Sequence, residues 1–188
     1  MPTLELFVAP VRVKGLTADG SIPLDPAPAD LPRVLLRRLS CLMRIELPGG
    51  VSVVRDAVID SGAPLTIFPH KIWAADFGWE AGRDYEELSL AGGGSSAMRG
   101  RVMGHEYCYR LAVLRTPVEL LGKNPSDDRL RLERLVAQLE TPAENATTST
   151  GLPSIVFGLW GNAIEGRTLR VRRLSGSDEL LAHLDFDS

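Results

Sequence analysis

Apolar and polar residues alternate in short runs along most of the chain, the period of half-buried strands rather than of long helices. Residues 4–13 read as a strand that Pro10 either ends or confines to an edge. Residues 42–47 and 51–54 flank Pro48-Gly49-Gly50, and the apolar run 57–59 leads into Asp60, a hairpin pattern. A strand at 65–69 and a short helix at 71–77, stopped by Gly78, follow. Strand character resumes at 86–90, and Gly92-Gly93-Gly94-Ser95-Ser96 reads as a flexible tip. Residues 99–114 then supply one or two further strands, so that the whole is a long hairpin and its return.

Ser126, followed by Asp127 and Asp128, suits a helix N-terminus. Leu132, Leu135, Val136 and Leu139 recur on one helical face before Pro142 ends the run, so a helix is predicted there. Residues 154–157 and 169–174 read as strands, and 178–184 as a short helical tail. The expected organisation is an N-terminal strand and extended arm over 1–40, a main domain over 41–175 with a helical insertion at about 117–152, and a C-terminal tail over 176–188.

The 188 residues suffice for one domain with its own core, but two full lobes would not fit comfortably. With 21 basic and 24 acidic side chains spread along the chain, the net charge of −3 creates no field that favours nucleic acid or an anionic membrane. The expected partner is a protein, a peptide or a small molecule. The N-terminal residues show no basic start before an apolar stretch, and no window approaches the ~20 apolar residues of a membrane span. A cytoplasmic protein is the expectation, and the sequon Asn145-Ala146-Thr147 carries no weight in that setting.

Cys41 and Cys108 lack paired spacing and read as buried free thiols. His70, His105 and His183 are dispersed, so neither a metal nor a cofactor is expected. The glycine run at 92–94 is followed by no Gly-Lys-Ser/Thr, which argues against a phosphate loop, and Ser61 has no nucleophile elbow around it. Trp73, Trp79 and Trp160 read first as packing residues.

The residue that stands out is Asp60. A carboxylate closing an apolar run needs a physical reason, because charge at the edge of a core is costly. Gly62 permits a tight turn that brings backbone N–H groups to the carboxylate, Ser61 adds a hydroxyl, and Ala63 keeps the surroundings small. The string alone reads more readily as an ordinary turn.

Its context resembles the retropepsin-like aspartic proteases in three ordered segments. Residues 57–67, centred on Asp60-Ser61-Gly62-Ala63, resemble the active-site strand and turn of that family. Residues 92–102, opening with Gly92, Gly93, Gly94 and Ser95, are similar to its substrate-covering flap. Ile155-Val156-Phe157-Gly158-Leu159 resembles the apolar pair and glycine that cross behind the active-site loop, where Gly158 would serve packing. Leu159-Trp160-Gly161-Asn162 departs from the usual continuation, and the 117–152 insertion lies outside the resemblance.

The resemblance implies a mainly β, closed-barrel acid-protease lobe, with a short helix after the active-site turn and an inserted helix. It also implies an endopeptidase with Asp60 as catalytic residue, acting on a peptide or protein substrate. Such chemistry needs two carboxylates sharing one proton, and this chain holds a single Asp-Ser-Gly. A homodimer with Asp60 from each copy on its axis is therefore implied, Ser61 bracing the two turns. The terminal strands 4–13 and 169–173 could pair within one chain or between two. The competing expectation is a non-catalytic peptide- or protein-binding module on the same fold.

Overall fold

The alternation in the first half of the chain is realised as strands. The computed structural model describes residues 3–11, 18, 20–22, 36–89, 97–102, 105–126, 128–142, 154–159, 167–177 and 179–186. Thr3–Pro10 forms β1, Arg37–Leu47 β2 and Val51–Asp60 β3. β2 and β3 pair antiparallel from Leu47↔Val51 to Ser40↔Val58. Gly49 and Gly50 close this hairpin at φ of 89° and 78°, a left-handed conformation that side chains resist.

Thr66–Phe68 is β4, and a helical turn over Lys71–Asp76 follows it. That turn is π-wound, with the Phe77 amide donating to the Ile72 carbonyl at 2.9 Å. Tyr85–Glu87 is β5, Ala97–Val102 β6, His105–Leu114 β7 and Val118–Leu121 β8. Arg129–Leu132 is β9, Val136–Thr141 β10 and Ile155–Gly158 β11. Arg167–Arg173 forms β12 and Leu180–Phe186 β13.

The chain is mainly β. Its strands run in the order β12-β13-β1-β2-β3-β11-β4-β10-β7-β5, with β6 added on β7, and with β8 on both β2 and β9. β1 pairs twice, residues 3–6 with β13 and residues 7–10 with β2. Both candidate terminal strands, β1 and β12, are paired within the chain. At its centre the consecutive strands β3 and β4 are not neighbours. β11 lies between them, parallel to β3 and antiparallel to β4.

Two helices expected from the sequence are strands instead. The stretch before Pro142 forms β9 and β10, separated by a bend at 133–134, so Leu132 and Leu139 reach the core from different strands rather than along one helical stripe. The inserted helix is thus replaced by the β8–β9 hairpin and β10, which pairs parallel with β4 and antiparallel with β7. The tail 178–184 is drawn into β13 by ladders to β1 and β12. In both places pairing with distant strands outweighs a local helix preference.

The main core gathers Leu4, Met43, Ile45, Phe68, Leu139 and Phe157, all essentially inaccessible to solvent. Burial of each such side chain favours folding by about 1.5–3 kcal/mol. A second, smaller cluster on the opposite face holds Ala63, Ile67, Tyr107, Tyr109 and Val156. Among the described residues no helix is long and apolar enough to cross a membrane, which says nothing of spanning by strands.

Candidate active site

Side chains alternate along a strand, so Ala57 and Ile59 of β3 enter the main core while Val58 and Asp60 face the other way. On that second face a row of cross-strand partners runs Val58, Val156, Ile67, Gln138, Leu111 across β3, β11, β4, β10 and β7. Asp60 stands half-buried at the end of β3 beside this row.

The turn after it is closed twice. The Ala63 amide donates to the Asp60 carbonyl at 3.4 Å, and the Gly62 amide donates to Asp60 Oδ1 at 2.8 Å. The second bond is an Asx turn, which fixes one carboxylate oxygen and leaves the rest of the acceptor capacity for other contacts. A side chain at Gly62 would stand 3.3 Å from Asp60 Oδ1, so the glycine keeps that approach open. Ser61 and Gly62 are exposed, whereas Ala63 is buried in the smaller cluster.

Gly158 lies in register beside Asp60, and the Leu159 amide donates to the Asp60 carbonyl at 3.4 Å. The returning limb of the turn lies across this glycine. A Cβ on Gly158 would come within 2.5 Å of the Leu65 carbonyl oxygen and 2.7 Å of that of Ala63. The structure thus brings together Asp60, Ser61, Gly62, Ala63 and Gly158 from two distant stretches of sequence.

The expected flap residues Gly92, Gly93, Gly94 and Ser95 lie outside the described residues. The hairpin next to them has a definite register: β6 pairs with β7 from Ala97↔Arg110 to Val102↔His105, so the residues joining the two strands are 103–104. The glycine run precedes β6 in the chain.

Sequence reasoning did not select Tyr107, Tyr109 or Gln138, which the structure sets on the Asp60 face. Tyr107 and Tyr109 are buried with ring centroids 5.2 Å apart, and the Tyr107 hydroxyl donates to Gln138 Oε1 at 2.6 Å. Burial, chiefly, pushes the Tyr107 phenol well above its ordinary value, with smaller contributions from Tyr109 and the charges of Glu140 and Asp60. Tyr107 is therefore a neutral hydrogen-bond donor throughout the working pH range. The available signal was the i, i+2 spacing of the two tyrosines in a predicted strand.

Glu140, also buried on this face, accepts the His70 amide on Oε2 at 2.9 Å, and its carbonyl accepts the Trp73 indole N–H at 2.8 Å. These bonds tie the helical turn after β4 to β10. Among the described residues no group of three or more His, Cys, Asp and Glu is placed to hold a metal ion. Cys41 and Cys108 are free thiols; Cys41 is buried and Cys108 half-buried.

Chemically, the site offers one rigidly held, partly exposed carboxylate per chain. Comparisons of the chain with protein-family models, with curated proteins and with solved structures give no match.

Proposed function

We propose that this chain is a retropepsin-like aspartic endopeptidase, active as a homodimer in which each copy contributes Asp60. The observation that carries the reading is the Asp60–Gly158 pairing beneath a turn closed by the Gly62 amide. A carboxylate is held by its own turn, and that turn lies on a glycine from a distant strand that has no room for a side chain.

In the dimer the two carboxylates share one proton, since both cannot be ionised cheaply at close range. The ionised member takes a proton from a water molecule as it attacks the scissile carbonyl. The protonated member donates to the carbonyl oxygen, and the tetrahedral intermediate then collapses with proton transfer to the leaving amine. An extended substrate would add as a strand along the outer edge of β6, which pairs only with β7 among the described residues.

The test is cleavage of a mixed peptide library across acidic to neutral pH by wild type and Asp60→Asn, beside sedimentation equilibrium of both. A dimer that cleaves, and an Asp60→Asn dimer that folds but does not cleave, is the expected result. Cleavage by Asp60→Asn at the wild-type rate would overturn the reading.

A second reading, a non-catalytic peptide-binding module, is favoured by the pairing of β1 and β12 inside the chain, so that neither strand needs a second copy to form a ladder. A monomer that binds peptides without cleaving them would establish it.

A further inference from the structure

The acid and base roles leave the Tyr107–Gln138 bond unused. β10 pairs with β7 from Val136↔Val113 only as far as Thr141↔Cys108. The β6–β7 ladder continues past that point through Gly100↔Tyr107 to Val102↔His105. Among the described residues Tyr107 is therefore the first of β7 beyond the ladder to β10, where β6 and β7 continue as a two-stranded ribbon. A ribbon of two strands is marginal without an added hold.

Tyr107 supplies one in two directions. Across the ribbon, its ring fills the place of the side chain that Gly100 lacks: a Cβ there would lie 2.9 Å from Cε1, Cζ and Oη. Back along the sheet, its hydroxyl reaches Gln138 on β10, a side chain only 4% exposed. The same ring shares a cluster with Ala63 of the Asp60 turn. One side chain thus touches the ribbon, the fixed sheet and the packing under the candidate site.

We propose that Tyr107 is a positioning residue, whose hydroxyl bond to Gln138 sets the angle at which the β6–β7 ribbon stands beside the Asp60 turn and so governs capture of an extended peptide. The peptide part of this statement rests on the function proposed above. Tyr107 touches no reacting atom. It acts through the ribbon, and its loss should weaken substrate capture more than turnover.

The experiment uses the full-length chain, Tyr107→Phe, and Gln138→Leu as an independent removal of the acceptor. Hydrogen exchange is read separately for ribbon amides 100–102 and 105–107 and for the β7–β10 ladder amides 109–113. The loss of one net hydrogen bond predicts ribbon exchange faster by about five- to tenfold in both variants, with the ladder unchanged. Ribbon exchange equal to wild type in both variants, or equal acceleration of ribbon and ladder, overturns the proposal.

Steady-state cleavage of a susceptible peptide should show KM raised by a similar factor with kcat nearly constant. A fall in kcat at constant KM also overturns it. If the wild type cleaves nothing, the endopeptidase reading fails, while the exchange result still decides whether Tyr107 holds the ribbon.

Discussion

Gly158 sits directly beside Asp60 in the β3–β11 ladder, and its missing side chain is the space through which the turn after Asp60 passes. The atoms that a Cβ would meet, the carbonyl oxygens of Leu65 and Ala63, belong to backbone and cannot rotate aside. Gly158→Ala is expected to cost about 2–3 kcal/mol, as overpacking of a tight site does. Urea denaturation checks this, and a loss below about 0.5 kcal/mol would mean that the turn yields freely.

Replacements at Asp60 should separate charge from turn geometry. Asn retains an oxygen that can accept the Gly62 amide now held at 2.8 Å, whereas Ala does not. Asp60→Asn should therefore unfold close to the wild-type midpoint, and Asp60→Ala should lose about 1 kcal/mol. Both should lack cleavage activity. Equal stability of the two variants would show that the Asx bond contributes nothing to the fold.

Cys41 should be chemically silent. Burial first, and the charge of Asp56 second, push its thiol from 9.0 up to about 12. In a Cys108→Ser variant, the remaining thiol is expected to resist a thiol-exchange reagent until denaturant is added. Because the folded value is the higher one, the contribution of Cys41 to stability is full below pH 9 and is lost as pH rises towards 12. Rapid labelling of the native variant would contradict its burial.

Acid should loosen the β12–β13 hairpin. The Asp185 carboxyl is lowered from 3.8 to about 2, first by its hydrogen bond from Arg170, then by the Thr3 hydroxyl and the Arg170 charge, against a contrary effect of desolvation. Its folded value is the lower one, so its stabilisation is present above about pH 4 and disappears as pH falls through 2. Arg170→Ala should be less stable than wild type at neutral pH and converge with it near pH 2. Parallel curves down to that pH would remove the pair from the account.

The parts legible in the sequence are those set by neighbours along the chain. Pro48-Gly49-Gly50 announces a hairpin because its glycines must take positive φ, and Asp60-Ser61-Gly62-Ala63 announces a turn whose two closing bonds span two and three residues. The parts that were not legible depend on distant partners. Gln138 and Glu140 are polar and buried on the face opposite Ala137 and Leu139, satisfied by the Tyr107 hydroxyl and the His70 amide. With both faces of β10 buried, the two-residue alternation that marks a strand is concealed, and Leu132, Leu135, Val136 and Leu139 imitate a helical stripe instead.

The position of β11 between β3 and β4 also orders events in time. As the chain is synthesised, both strands flanking Asp60 emerge long before residues 155–158 exist to fill the gap between them. The β2–β3 hairpin can form at once from local contacts, but the carboxylate has no backing until β11 has threaded into place. A nascent chain therefore carries Asp60 without the strand that backs it until residues 155–158 have been made.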